Sequence, residues 1–463
     1  MAADSRLPDG FVQSLESIIG VDHVRTDDES RETYAVDALQ RGGAADVVVL
    51  PGITAEVAAV ARACDRAKVP LTPRGAGTGY TGGAVPAAGG VVLSLERLNR
   101  IIDIDEANLL AVVEPHVVTA TLQQAVDQVG LFYPPDPASL NQSVIGGNVA
   151  ECAGGPRAFK YGTTKRYVLG LEAVLPTGQI IRTGGKSVKN VVGYDLTQLL
   201  VGSEGTLAIV TQVILRLVPR PPARATLRAT FPSIARAVEA VGAVIASGVV
   251  PAALELIDAD CLRAIERQDG SQTSSGRGAV LLIEVDGMPA SVLEESERVS
   301  RACASADGIV VAATTEEERD RLWSDRRALS LALRSLAPRK INHDVVVPKG
   351  RIPQLFEVIA RLKQAHRLPM PSFGHVGDGN IHVNILVDPA DADAMNRARQ
   401  AERQLFEEVV ALEGSISGEH GIGFTKAKFL GLELSSDTID LMRRLKKAFD
   451  PNWILNPGKI FPE

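Results

Sequence analysis

Cysteine, basic charge and long apolar runs are all in short supply in this chain. Its four cysteines, Cys64, Cys152, Cys261 and Cys303, are scattered and form no C-x-x-C pair. No familiar iron–sulfur spacing can be built from them, so any such cluster that takes electrons from the chain is expected on another subunit. The longest apolar stretch, Ala237 to Ile257, is broken by Glu239, Gly248, Pro251 and Glu255 and does not suit a bilayer span. Residues 1–20 lack a basic start followed by an apolar segment, so no secretory signal is expected. With 49 Lys and Arg against 56 Asp and Glu the net charge is −7, and no segment offers the basic face that nucleic acid demands. The same balance gives little reason to expect direct binding to anionic lipid. The expectation is a cytoplasmic protein, associated with a membrane only through a partner.

What the chain does have is glycine in one concentrated place. Pro73 to Gly83 reads Pro-Arg-Gly-Ala-Gly-Thr-Gly-Tyr-Thr-Gly-Gly, with five glycines in eleven residues. Such a backbone can take φ > 0 repeatedly and turn successive N–H groups inward as a nest for an anion, which is how a diphosphate is gripped. Gly77, Gly79 and Gly82 satisfy G-x-G-x-x-G, but that fingerprint needs a helix opening out of the glycines. None follows here. The amphipathic helix (Thr54 to Ala67) precedes the loop, a short strand over Val69 to Thr72 leads in, and the β-branched run Val91 to Leu95 comes after. This order is not a Rossmann unit. A plain tight turn is the competing reading.

At 463 residues, 45% of them apolar, two domains are expected, 1–220 and 221–463. In the first, residues 7–20 read as a helix and Val47 to Leu50, Ile101 to Asp105 and Leu110 to Val113 as strands. A helix over Thr119 to Val129 has Thr119 as its expected N-cap and Gly130 as its stop. Tyr133 to Gly162, with Pro134-Pro135-Asp136-Pro137, Ser139, Ser143, Gly146-Gly147-Asn148 and Gly154-Gly155, reads as a long functional loop. Leu171 to Leu175 and Ile180 to Arg182 form a hairpin about Thr177-Gly178. Gly202-Ser203-Glu204-Gly205 is a polar turn ahead of the strand Val210 to Leu217.

After a stiff hinge at Pro219, Pro221 and Pro222, strands and helices over 225–313 follow the order β-α-β-β-α-β. This is the ferredoxin-like split motif, expected to bury one sheet face under two helices, with Gln268 to Gly276 as a loose loop between its halves. A helix from Thr315 to Leu336 carries Trp323, Arg326 and Arg327. Either arginine could fork a carboxylate, or the helix face could simply be exposed and paired with Glu316-Glu317-Glu318.

The strongest chemical signal is Phe373-Gly374-His375-Val376-Gly377-Asp378-Gly379-Asn380-Ile381-His382-Val383-Asn384. A two-residue turn at Asp378-Gly379 would set His375 directly opposite His382, with Asn384 on the same face. Gly418-Glu419-His420-Gly421 adds a carboxylate and another histidine in a glycine frame. Two histidines and a carboxylate suit a divalent transition metal with open positions, such as zinc or manganese. Two histidines hydrogen-bonded in a polar wall are the bland alternative. A helix over Asp437 to Phe449 is followed by Asp450-Pro451-Asn452-Trp453-Ile454-Leu455-Asn456-Pro457-Gly458, which stops the chain in turns.

Pro73-Arg74-Gly75-Ala76-Gly77-Thr78, Pro135-Asp136-Pro137, Gly146-Gly147-Asn148, Gly193-Tyr194-Asp195 and Gly202-Ser203-Glu204-Gly205-Thr206, in this order, resemble the FAD-binding domain of the vanillyl-alcohol oxidase (PCMH) type. The similarity covers nearly all of the chain beyond residue 40 and lies in the branch of D-lactate dehydrogenases and the glycolate oxidase flavin subunit. It implies an α+β protein, a two-part PCMH-type FAD-binding domain plus a ferredoxin-like α+β cap that holds the substrate. It implies FAD, with Pro73, Arg74, Gly75, Ala76, Gly77, Thr78 and Gly79 around the pyrophosphate and Gly82 and Gly83 lining that loop. Pro135, Asp136, Ser139, Gly146, Asn148, Gly155, Glu204, Gly205, Ile209 and Asn456 would line the rest of the cofactor. No histidine stands in the glycine loop where many relatives bond the flavin, and Cys152 is a remote substitute, so the FAD is expected to be non-covalent. His375, His382 and Glu419 match the family's metal ligands, His420 its base, and Arg326, three residues after the tryptophan, its substrate-carboxylate arginine. Asn384 joins the catalytic set.

The resemblance thus implies oxidation of a small D-2-hydroxy acid, D-lactate or glycolate, to the 2-keto acid. An electron-accepting partner, an iron–sulfur subunit, quinone or cytochrome, would then reoxidise the flavin; a homodimer is compatible. Asn342 stands where the hydroxyglutarate-specific branch carries lysine two residues before the match to Asp344, which argues against a second substrate carboxylate. D-2-hydroxyglutarate dehydrogenase, a flavin-bearing electron-transfer subunit without a substrate site, and a synthase-like relative remain as alternatives.

Overall fold

A computed structural model of the chain describes residues 7–39, 42–269 and 278–462. It divides into two compact units. One is drawn from Met1–Gly154, Thr163–Arg220 and Glu419–Glu463, the other from Gly155–Gly162 and Pro221–Gly418.

The first unit contains a four-stranded sheet in the order Val24–Arg25, Val47–Val49, Val91–Ser94, Leu71–Arg74, the last three parallel. Its two central strands are near-continuous valine and leucine because both faces are covered. The helix Thr54–Ala67 turns Val57, Ala58, Val60, Ala61 and Cys64 inward at helical spacing, and Lys68 ends it in the left-handed region at φ 54°. The strand leading into the glycine loop is Leu71–Arg74, two residues later than the expected Val69 to Thr72. Pro73 belongs to it because this is an edge strand, where a missing N–H breaks no ladder.

The second sheet of this unit is antiparallel, in the order Ile101–Asp105, Leu110–Val113, Ile209–Arg216, Val168–Val174, Ile180–Gly184, and the hairpin turns on Gly178 at φ +81°. Thr119 is not the N-cap of its helix: the helix is Thr119–Asp127 with Val118 at the cap, and the Thr119 hydroxyl donates to the Ser143 carbonyl instead. The glycine-rich stretch 133–162 is also more regular than a loop, since it holds the helices Ile145–Glu151 and Ala158–Tyr161. Gly146 is there for close approach rather than for flexibility, as a Cβ on it would lie 2.6 Å from the Pro115 side chain. After the helix Ser436–Phe449, Leu455 forms a parallel bridge with Leu71, and Ile454 and Leu455 are buried in the same core as Val47, Val91 and Leu93.

The second unit is built on one seven-stranded sheet. Ile309–Ala312, Ala223–Phe231, Ala279–Gly287 and Ala253–Asp258 come first, in the 4-1-3-2 order of the ferredoxin-like motif. Ser372–His375, Asn380–Val387 and Arg339–Val346 extend it beyond that motif. The helices Ile234–Ala246 and Pro289–Ser305 are the expected crossovers, the former capped by Ser233.

The expectation of a single covered face is wrong. Successive residues of a strand point to opposite faces, yet residues 253–257 are all buried, so both faces are covered. The helices Ala259–Asp269 and Glu316–Arg334 supply a second layer, packing Cys261, Ile265, Leu329 and Leu333 on Ile257, Val280 and Phe373. The polar loop expected over Gln268 to Gly276 lies, beyond Asp269, outside the described residues.

Candidate flavin and metal site

In the glycine loop, Gly77 and Gly82 take φ +69° and +85°, as an anion nest requires of some of its members. A Cβ on Gly77 would stand 2.3 Å from the Arg74 guanidinium, and one on Gly82 would enter the Phe424 ring at 2.1 Å. Arg74 donates to the Val36 carbonyl (2.7 Å), and the Gly82 N–H to Asp37 (2.8 Å). Gly79 is different: a Cβ there would meet nothing within 4 Å. The loop is therefore pinned from behind by packing and open along one side.

Asn456, itself at φ 45°, holds the tail against this loop by donating to the carbonyls of Gly83 (2.8 Å) and Glu204 (2.9 Å). Its Oδ1 is buried with no hydrogen-bond partner among the described residues. A buried acceptor of that kind calls for a donor from a bound group. Open space at Gly79 and this acceptor are what a nucleotide cofactor would need. Three other expected cofactor residues have side chains turned to the protein. Asn148 donates to the Thr119 hydroxyl at 2.8 Å, and Ile209 is in the core. Both Glu204 oxygens accept the N–H groups of Ile422 and Gly423, at 2.8 and 2.6 Å, and burial raises its pKa. Cys152 is a free thiol beside the Thr163 hydroxyl.

Glu204 bears directly on His420, two residues before Ile422. The His420 ring stacks on Tyr80 with centroids 5.3 Å apart, and its carbonyl accepts from the Thr81 hydroxyl. Gly421 at φ +80° and Gly423 at φ +50° bend the chain here, so Glu419 and His420 are not held to the alternation of a strand.

In the second unit the hairpin register differs from expectation by two residues. His375 is opposite Asn380 and His382 opposite Phe373, because residues 376–379 form a four-residue connection rather than a two-residue turn. A slip of two keeps every side chain on its own face, whereas a slip of one would not. The histidines remain diagonal neighbours, with ring centroids 5.3 Å apart and planes at 85°. Glu419 directly follows Gly418, whose N–H is held by Asp344 at 2.9 Å, and its carboxylate completes a group with His375 and His382 in which the ligand atoms lie within 4.8 Å of one another. The donor set suits a divalent metal.

Directly across the sheet from His375 lies Glu255, fully buried. One oxygen is 2.5 Å from His375 Nδ1 and the other accepts from Arg326 Nε at 2.6 Å. Burial pushes the Glu255 carboxyl up, but His375 and Arg326 together outweigh it and hold the group at about 2. Arg326 is thus not on an exposed helix face. It is buried, with its guanidinium 4.7 Å from the Phe373 ring centre, while Glu318 forms a capping box with Thr315 and Glu316 pairs with Arg224. Arg327 is exposed. The Asn384 amide is engaged on both sides, accepting from Asn342 and donating to the carbonyls of Pro371 and His382. Sequence reading misses Glu255 as a site residue and counts it only as a break in an apolar run; a lone acid at the centre of an apolar strand is the signal that could have found it.

The architecture defines a class first. The structure aligns with p-cresol methylhydroxylase at a TM-score of 0.81 over 98% of this chain and 96% of that one, at 18% identity. With 4-ethylphenol oxidase from Gulosibacter chungangensis the TM-score is 0.80 over 99% of both, at 22% identity. This is the PCMH-type flavoprotein fold. Residues 45–184 match the FAD binding domain family and residues 220–460 the C-terminal domain of FAD linked oxidases. The chain is 43% identical to glycolate oxidase subunit GlcD of Bacillus subtilis, over 97% of this chain and 96% of that one. It is 35% identical to a D-lactate dehydrogenase of Anaerostipes hadrus, over 94% and 93%. The chain belongs to the FAD-linked oxidase family. Among the described residues no helix is long and apolar enough to cross a membrane.

Proposed function

We propose that this chain oxidises a small D-2-hydroxy acid, D-lactate or glycolate, to the 2-keto acid, with non-covalent FAD as acceptor and a divalent metal, zinc or manganese, on two histidines and a carboxylate. The observation that carries the reading is the group of His375, His382 and the half-buried Glu419, with Arg326 joined to His375 through a single carboxylate. A flavin-bearing electron-transfer subunit would have no use for such a set. When bound, the flavin supplies a two-electron acceptor and the metal a Lewis acid that eases loss of the α-hydroxyl proton.

The chain's own residues have separate tasks in this reading. His375, His382 and Glu419 hold the metal, and Arg326 holds the substrate carboxylate in a planar fork. His420 receives the hydroxyl proton, and its position is kept by the Tyr80 stack and by the clamp of Glu204 on Ile422 and Gly423. Pro73 to Gly83 grips the diphosphate, and Asn456 offers its buried Oδ1 to the cofactor. Asn342 spends its amide on Asn384 and brings no cation, which favours a monocarboxylate over D-2-hydroxyglutarate. The flavin passes its electrons to a partner, for which the word subunit in the relative's name is the support. A panel of D- and L-2-hydroxy acids, added anaerobically to purified protein, tests the reading. D-lactate or glycolate should bleach the flavin, and a flavin bleached by none of them would refute it.

A further inference from the structure

Glu255 occupies a place where a carboxylate is expensive. It lies in the strand Ala253–Asp258 between Leu254 and Leu256, is fully buried, and is flanked on its own face by Ile257. An apolar residue of similar size would fill this position more cheaply, because a buried charge must recover its hydration from partners. Its two partners are the residues that the proposed chemistry uses on this face, His375 and Arg326.

A carboxylate can only accept hydrogen bonds, so the contact at 2.5 Å puts the proton of His375 on Nδ1. In a neutral imidazole the lone pair is then on Nε2, the nitrogen turned away from Glu255. The second oxygen fixes Arg326 through Nε, which leaves both terminal nitrogens of the guanidinium for other acceptors. The contacts close into a ring. Arg326 lies on Phe373 at 4.7 Å, Phe373 meets His382 at 5.2 Å, and His382 meets His375 at 5.3 Å. Phe373 and His375 are two residues apart in one strand and Glu255 and Ile257 in the next, so all of them share a face of the sheet.

We infer that Glu255 is a positioning residue that serves both halves of the substrate site: it sets the tautomer and aim of His375 as a metal ligand and fastens Arg326 beside it. The inference rests on the reading of His375 as a ligand. Carboxylates behind ligand histidines typically strengthen metal binding by about 10- to 100-fold.

The test uses full-length, flavin-loaded protein stripped of metal and titrated with Zn2+ against a chromophoric chelator. Glu255→Gln keeps the volume, but a single oxygen cannot serve both donors. Zn2+ affinity should fall about 10- to 100-fold, with flavin content unchanged. Wild-type Zn2+ affinity in a folded Glu255→Gln protein would overturn the inference. Wild-type protein that binds no Zn2+ would overturn the ligand reading beneath it, a distinguishable failure. Should Glu255→Gln not fold, nitrogen-15 histidine spectra of the metal-free wild type decide instead. His375, assigned by loss of its signal in His375→Gln, should be protonated at Nδ1, and protonation at Nε2 alone would overturn the inference.

Discussion

Two glycines of the same loop, Gly77 and Gly79, should fail in different ways when replaced by valine. At Gly77 the backbone sits at φ +69°, which for a residue with a Cβ costs about 1–2 kcal/mol. The new Cβ would also stand 2.3 Å from the Arg74 guanidinium and push it off the Val36 carbonyl, a charged hydrogen bond worth about 1.5–3 kcal/mol. Together these predict a loss of about 2.5–5 kcal/mol in flavin-free protein, and flavin binding should weaken with it. At Gly79 a Cβ meets nothing, so Gly79→Val should melt in flavin-free form within about 0.5 kcal/mol of wild type. If that open side is where the diphosphate lies, the added side chain overpacks the loaded loop by about 1–3 kcal/mol, or about 5- to 150-fold in affinity. Thermal melts of the flavin-free proteins and FAD titrations by fluorescence quenching read the two effects separately. Wild-type FAD affinity in Gly79→Val would refute the assignment of the open side, whatever Gly77→Val does.

Other outcomes follow from the same structure. Acid precipitation should release the yellow colour into the supernatant, and colour kept in the pellet would mean a covalent flavin. His382→Ala should lose metal and turnover while the flavin spectrum stays intact; activity and metal both retained would sink the ligand set. Glu419→Gln should lower metal content, whereas His420→Ala should keep metal and flavin and slow flavin reduction by about 10²- to 10⁴-fold, with partial recovery at high pH. Metal lost from the His420 variant but not from the Glu419 variant would exchange the two roles. Burial pushes the Asp258 carboxyl up to about 6 from 3.8, against the N–H groups of Cys261 and Ser372. A folded pKa raised above the unfolded one gives stability that is present below pH 3.8 and lost as pH rises through 6. Denaturant melts of wild type minus Asp258→Asn should therefore shift by about 3 kcal/mol between pH 3.5 and 7, and a difference independent of pH would refute this.

Much of this was legible in the residues because the signals were local. The glycine loop, the helix Thr54–Ala67 and the β-α-β-β-α-β order each follow from spacing within a short window. Three failures have physical causes. The hairpin register turned on whether Asp378-Gly379 alone or residues 376–379 make the connection, and both options keep the histidines on one face. The second helical layer and the strand Arg339–Val346 complete a sheet through pairings far apart in sequence, which no local periodicity reports. Glu255 looks like an error in an apolar strand until His375, 120 residues later, arrives opposite it.

The bridge between Leu71 and Leu455 has a consequence for how the chain is made. Ile454 and Leu455 complete a core whose other members, from Phe11 to Ile209, leave the ribosome long before them. In between comes the whole of Pro221–Gly418, which has a sheet of its own. During synthesis the first unit must wait, with a strand edge and an apolar groove uncovered, while the second is free to fold on its own. Shortening the chain by its last ten residues should therefore harm the unit made first and spare the one made last, and limited proteolysis of such a truncation would show the central segment as the surviving fragment.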